Sequence, residues 1–260
     1  MRHRPRKRFG QNFLVDESVT AAIVAAIAPQ PADCVVEIGP GLGALTRPLS
    51  SQVNHLHVIE IDRDIIKHLE ATFPRERVTI HAGDALKFDF AALGQGLRVV
   101  GNLPYNISTP LLFHLAGHAA LIRDIHVMLQ KEVVERMVAN PSDSDYSRLS
   151  VMLQYRFRME HVLDVPAAAF DPVPKVESAV VRMMPFERPP HPARDEALFA
   201  TIVAAAFAQR RKTLRNALQR HFGAEDFRRL GVDAGLRAQD LSVEDFVRLA
   251  DHAAAREKRA

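Results

Sequence analysis

Apolar positions recur at helical spacing over residues 18–28 (SVTAAIVAAIA), and Pro29 and Pro31 close that run. Short, continuously apolar stretches then alternate with amphipathic ones. VVEIG at 35–39 reads as a buried strand, followed by glycines and a short helix through Leu42, Leu45 and Leu49. Strands are predicted at 55–61, 77–83, 97–103 and 124–130, with helices from about Asp62 to Phe73, after Ser108, and through Lys131 to Val138. Ser108 and Thr109 are expected as caps, and Pro110 suits a first helical turn. Buried strands separated by helices predict a doubly wound, mostly parallel α/β sheet.

Past the polar loop 139–147 comes a helix near 148–155, then the runs MEHVLDV and ESAVVRMM, readable as an antiparallel pair added to the sheet edge. The segment PFERPPHPA at 185–193 holds four prolines in nine residues and reads as an extended linker or rigid turn. Helices are expected at 194–208, 212–221, 224–230 and 242–250. The chain therefore divides into residues 1–185, an α/β unit with a basic N-terminal arm, and residues 186–260, a small all-α domain.

Composition adds exclusions. A chain of 260 residues with 47% hydrophobic and 25% charged positions can build a sizeable core and is neither disordered nor fibrous. One cysteine, Cys34, excludes an internal disulfide and a cysteine-based zinc cluster, and reads as a buried structural thiol. The 12 scattered histidines suggest surface positions or core partners, so no metal is expected. No run approaches a membrane span, and no hydrophobic signal segment follows the basic N-terminus, so a cytoplasmic location is expected. The net charge is only +3, but positive charge is segregated. RHRPRKR at 2–8 includes Arg6, Lys7 and Arg8, QRRKTLR at 209–215 includes Arg210, Arg211, Lys212 and Arg215, and Arg148 lies between them. Such clustering suits a polyanion, although basic helix faces are also common solvated surfaces.

The run Glu37-Ile38-Gly39-Pro40-Gly41-Leu42-Gly43 closes one strand and opens a helix. Its glycines let backbone approach a ligand, and alone they suit either NAD or S-adenosylmethionine. Glu37 within the strand would be unwelcome beside a pyrophosphate but could face a cationic methionine-type group, directly or through water, or merely orient the loop. Glu60 ends the second strand, placed to accept from two ribose hydroxyls, and Asp84 ends the third, placed to accept from an adenine amine.

Asn102-Leu103-Pro104-Tyr105 ends the fourth strand. An adenine N6 is a poor nucleophile because its lone pair is delocalised into the ring. It requires two acceptors that hold the amine in a pyramidal form, and the Asn102 side-chain oxygen with the Leu103 carbonyl could supply them. Pro104 restricts Leu103 to an extended backbone, and Tyr105 could stack on the base. Phe170, beside a proline-stiffened loop, reads either as a second stacking face or as an ordinary core phenylalanine.

Several longer stretches carry a family likeness: KRFGQNFL at 7–14, EIGPGLGALT at 37–46, VIEIDRD at 58–64, VGNLPYNISTPL at 100–111, MLQKEVVERM at 128–137, YSRLSVMLQY at 146–155, FDPVPKVESAVVR at 170–182 and AFAQRRKTLRNAL at 206–218. By these, the chain resembles the bacterial small-subunit ribosomal RNA adenine N6,N6-dimethyltransferases, the kasugamycin-sensitivity methyltransferase family. The resemblance implies a Rossmann-like sheet using S-adenosyl-L-methionine, with a helical rRNA-binding domain. It implies that Asn12 and Leu14 contact the cofactor, that Gly39, Glu60, Asp84 and Asn102 line the rest of its site, and that Asn102, Leu103, Tyr105 and Phe170 hold the adenine. Four methyl transfers onto two adjacent adenosines of a 3′-terminal hairpin are implied, on a nearly mature 30S particle; nothing in the sequence demands a dimer, so a monomer is expected when free. Rivals are the macrolide-resistance branch acting on large-subunit rRNA, a DNA adenine methyltransferase, a non-catalytic rRNA-binding assembly factor, and a NAD-dependent oxidoreductase.

Overall fold

The computed structural model describes residues 12–257. Seven strands form one open sheet: β2 (Val35–Ile38), β3 (Leu56–Glu60), β4 (Val78–Ala82), β5 (Leu97–Asn102), β6 (Ile122–Gln130), β7 (Phe157–Val165) and β9 (Ser178–Pro185), in the order β4-β3-β2-β5-β6-β9-β7. Strands β4 through β6 run parallel to their neighbours, and β9 lies antiparallel to β6, with Val127 opposite Val181. The two late strands do extend the sheet edge, but β9 inserts between β6 and the earlier β7. A separate two-stranded ribbon, absent from the sequence expectation, pairs β1 (Phe13–Leu14) with β8 (Phe170–Asp171), Leu14 opposite Phe170.

Helix α1 (Glu17–Ile27) precedes the parallel strands, α2 (Thr46–Gln52), α3 (Arg63–Thr72) and α4 (Ser108–Gly117) connect them, and α5 (Lys131–Val138) follows the last of them. Asp16 caps α1 by accepting from the Ser18 and Val19 N–H groups at 2.8 and 3.1 Å, and Ile23, Val24 and Ile27 form its buried stripe. Asp62 caps α3 from the Asp64 N–H, with Ile65 and Leu69 buried one turn apart. Two helix starts differ from expectation. Residues 41–45 form a turn, so α2 begins only at Thr46, and Ile107 rather than Ser108 or Thr109 occupies the N-cap of α4. The Ser108 hydroxyl instead donates to the Tyr105 carbonyl at 3.1 Å.

All four residues of β2 are buried, as a central parallel strand covered on both faces requires. Next to it, β5 carries a buried arginine. Arg98 donates from Nε to both Asp124 oxygens (3.0 and 3.1 Å), from Nη1 to Asp33 (2.7 Å) and from Nη2 to the Ile27 carbonyl (2.6 Å), so it also ties down the C-terminal end of α1. Burial opposes ionisation of Asp124, but His126 and Arg98 hold its carboxyl at about 2. Removing one member of a desolvated ion pair strands the others. Arg98→Ala is therefore expected to cost about 3–5 kcal/mol in urea unfolding, and a loss under about 1 kcal/mol would refute this role.

Cys34 is half-buried, and burial pushes its thiol up. His57 Nδ1 sits 3.1 Å from His81 Nε2, and burial, then His81 and His55, push His57 down to about 4. Among the described residues, no helix is long and apolar enough to cross a membrane.

Contacts divide the chain into two compact units: residues to Val134 with Met159–Pro185, and Glu135–Arg158 with the chain from Phe186 onward. The division expected at 185/186 thus leaves 135–158 on the other side. The reason is packing: Tyr146, Val151 and Tyr155 share a core with Phe199, Ile202, Leu214 and Phe246. This second unit contains α6 (Arg148–Gln154), α7 (Glu196–Phe207), α8 (Leu214–Ala217), α9 (Ala224–Leu230) and α10 (Val243–Glu257). Of these, α8 is shorter and α10 longer than predicted.

Candidate active site

Strand order reverses between β2 and β5: the chain proceeds from β2 to β3 on one side and returns to β5 on the other. A crevice opens beyond the C-terminal ends of strands at such a point. Here it is a cavity of about 740 Å³, lined by the loop after β2, the ends of β3 and β5, the Gly83–Leu86 turn after β4, and Asn12–Val15. It lies wholly within the first unit.

The loop glycines 39, 41 and 43 all have positive φ. Gly41 is the most constrained: φ is +54°, and an added Cβ would lie 3.0 Å from the Phe13 ring. The missing side chain is what lets the N-terminal segment close over the loop.

Glu37, Glu60 and Asp84 are three of the four acids that line this cavity, Glu17 being the fourth. Glu37 is 1% exposed and accepts from the Thr46 hydroxyl at 2.7 Å. Burial outweighs that bond and, with the nearby Glu60 charge, raises its carboxyl to about 7. One Glu60 oxygen accepts from the Ile61 and Asp62 N–H groups, both at 2.8 Å, yet burial still raises its carboxyl. Asp84 accepts from the Leu86 N–H at 3.0 Å and caps a short 3₁₀ turn. Glu37 and Asp84 are each oriented through one oxygen and have a second to offer, and Glu60 also accepts from the Gly41 N–H. A buried acid with its carboxyl raised to neutrality suits a ligand that brings a cation, and Glu60 and Asp84 suit hydroxyl and amine donors. The site therefore fits S-adenosylmethionine.

Glu37 makes stability depend on pH. Its ordinary value is 4.5 and its folded value about 7, so between these the folded chain holds a proton that the unfolded chain has released. The stabilisation is complete below about 4.5 and is lost as pH rises through about 7, roughly 3 kcal/mol in all. Glu37→Gln keeps an oxygen for Thr46 and removes the titration. Urea unfolding of the cofactor-free protein at pH 5 and pH 8 should show the variant gaining on the wild type at the higher pH. Parallel behaviour of the two proteins would contradict it.

On the other side of the reversal, Asn102 ends β5, and its Nδ2 donates to the Asn12 carbonyl at 3.0 Å. The amide oxygen, Oδ1, is the end left for an incoming donor. The Leu103 N–H donates to the Met128 carbonyl at 3.1 Å, and Pro104 opens a turn closed by the Ile107 N–H. Tyr105 is half-buried in the cavity wall.

Most expected site residues are thus brought together: Asn12, Leu14, Glu37, Gly39, Gly41, Gly43, Glu60, Asp84, Asn102, Leu103, Pro104 and Tyr105 all line the cavity. Phe170 does not. It is 2% exposed, packed with Leu14, Val165 and Ala169, and cross-paired with Leu14, outside the cavity lining. It packs against β1, whose Phe13 and Leu14 line the cavity. Three contributors escaped sequence reasoning. Phe13 closes over Gly41, Thr46 fixes Glu37, and Ser178 bonds Tyr105. Phe13 lies inside the KRFGQNFL stretch, and Thr46 ends EIGPGLGALT, so the local signal was present for both.

Of the expected RNA-contacting residues, Arg148, Arg210, Arg211, Lys212 and Arg215 are all exposed in the second unit, where the Arg210 guanidinium donates to the Ser144 carbonyl. Arg6, Lys7 and Arg8 lie outside the described residues.

A parallel sheet with this strand order, an antiparallel strand beside β6, and an acid-lined cavity at the reversal define a Rossmann-like, S-adenosylmethionine-dependent methyltransferase. A profile described as "Ribosomal RNA adenine dimethylase" matches residues 2–255. The chain belongs to the ribosomal RNA adenine dimethylase family. Ribosomal RNA small subunit methyltransferase A of Thiobacillus denitrificans is 64% identical over 254 residues, covering 98% of this chain and 100% of that protein. The protein of the same name from Chromobacterium violaceum is 63% identical over 252 residues, covering 96% of each. Among solved structures, a dimethyladenosine transferase from Plasmodium falciparum superposes with a TM-score of 0.79 at 26% identity, covering 91% of this chain and 95% of that one. The 23S rRNA methyltransferase ErmE gives a TM-score of 0.73 at 25% identity, covering 94% and 100%.

Proposed function

We propose that this protein dimethylates N6 of two adjacent adenosines in the 3′-terminal hairpin loop of small-subunit rRNA, four transfers in all, as a late step of 30S assembly. The observation that carries this reading is the placement of Asn102, Leu103 and Tyr105 on the wall of the same cavity that holds Glu37, Glu60 and Asp84. When bound, S-adenosylmethionine supplies an electrophilic methyl group on a sulfonium sulfur.

The protein's own residues bind and orient. Glu60 accepts from the ribose hydroxyls, Asp84 from the adenine amine of the cofactor, and Glu37 offsets positive charge near its methionine portion. At the target, the Asn102 Oδ1 and the Leu103 carbonyl accept the two N6 hydrogens and favour the pyramidal amine, and Tyr105 stacks on the base. Catalysis is positioning and electrostatics rather than proton abstraction by a strong base. A loop adenosine suits this pocket because swinging it out costs less than breaking a base pair.

The exposed Arg210, Arg211, Lys212 and Arg215 cluster contacts rRNA phosphates, as does Arg148, with the basic arm bearing Arg6, Lys7 and Arg8. The accepted substrate is a nearly mature 30S particle, met in the cytoplasm by a free monomer. No metal takes part in the chemistry. Methyl incorporation from labelled S-adenosylmethionine into purified small and large ribosomal subunits tests the reading. Predominant labelling of the small subunit is expected, and predominant labelling of the large subunit would overturn the assignment in favour of the macrolide-resistance branch.

A further inference from the structure

Tyr105 is held at both ends by serines from different elements. Its carbonyl accepts from the Ser108 hydroxyl at 3.1 Å, and its phenolic oxygen lies 2.7 Å from Ser178 Oγ. Ser178 comes from 73 residues further along the chain and is 0% exposed. It is the first residue of β9, sits opposite Gln130 of β6, and follows Glu177, whose carbonyl accepts from the Lys131 N–H at 3.0 Å. The hydroxyl therefore projects from backbone paired within the sheet, whereas Tyr105 stands on the Pro104–Ile107 turn.

A tyrosine on a turn has two side-chain torsions to settle. Packing against the cavity wall does not fix both, because one side of the ring must stay open for a ligand. A hydrogen bond at the far tip of the ring does fix them, since small rotations about either torsion swing the hydroxyl out of reach. Burial raises the Tyr105 phenol, against the Ser178 hydrogen bond.

We infer that Ser178 is a positioning residue for methyl transfer, holding the Tyr105 ring at the angle at which it meets the target base. This rests on the reading of Tyr105 as the base-stacking residue. Ser178 touches neither substrate nor cofactor. Its effect falls on how the base is presented, and so on kcat, whereas affinity for the particle depends on the wide phosphate contacts elsewhere.

Steady-state methylation of small ribosomal subunits by the full chain tests the inference with Ser178→Ala, Tyr105→Phe, the double variant and Tyr105→Ala. Ser178→Ala and Tyr105→Phe are each expected to lower kcat about five- to tenfold, the scale of one lost hydrogen bond. KM for the particle should stay within about twofold. The double variant should be no slower than either single one, because both remove the same bond. A lowered melting temperature with unchanged kcat would mean that Ser178 is only structural, and additive losses would mean that the two residues act separately. Either result overturns the inference. Tyr105→Ala separates the two levels of the argument: retained turnover in that variant defeats the stacking role itself, whereas its inactivity alongside a wild-type Ser178→Ala defeats only the positioning role.

Discussion

Asn102→Ala is expected to lower methyl transfer about 10²- to 10³-fold, the cost of deleting one preorganised polar group at a reacting centre. The loss should appear in kcat, with affinity for the ribosomal particle within about twofold of wild type. Two consequences of the substitution add together. The acceptor for the amine disappears, and so does the bond from Nδ2 to the Asn12 carbonyl that fixes which end of the amide faces the cavity. Filter binding to small subunits together with single-turnover methylation checks both parts. Wild-type turnover would remove Asn102 from the chemistry, and loss of particle binding in step with activity would make its role one of recognition.

Gly101→Ala should damage the fold and the site together. A Cβ at Gly101 would lie 2.3 Å from the Ile38 carbonyl oxygen, a backbone atom of the neighbouring strand. Neither side can yield cheaply. Ile38 is 2% exposed in the fully buried β2, and Gly101 pairs on its other side with Val127 of β6. The expected cost is about 3–5 kcal/mol in urea unfolding, at the upper end of what overpacking produces. Any folded fraction should also be slow, because pushing β2 and β5 apart displaces Gly39 and Asn102, the residues that follow the clash on each strand. A variant within about 1 kcal/mol of wild type and fully active would contradict this clash between the two strands.

The centre of the sheet was legible because its strands are buried on both faces and so appear as mostly apolar runs, such as VVEI and LRVVGN. The cavity acids were legible for a related reason: a charged residue in or just after such a run stands out. What stayed hidden depends on partners distant in sequence. Arg98 reads as one cation in an apolar strand, and nothing local shows that Asp33 and Asp124, 65 and 26 residues away, enclose it. The β1–β8 ribbon is two residues on each side, too short for any periodicity to register. That ribbon sets Phe170 beside Leu14, a pairing that no local pattern in the sequence signals. Likewise, 135–158 follows the helical core because Tyr146 and Tyr155 pack there, a preference that the proline-rich stretch at 185–193 obscured by offering a more conspicuous boundary.

The central claim is a reaction on a particular base, and one measurement reaches it directly. Small ribosomal subunits lacking these methyl groups would be incubated with the purified protein and S-adenosylmethionine, and their nucleosides analysed by mass spectrometry with mapping to rRNA fragments. A rise in N6,N6-dimethyladenosine confined to the 3′-terminal hairpin is the expected result. Absence of methylation, with cofactor and particle both shown to be bound, would contradict the account and leave an rRNA-binding assembly factor in its place.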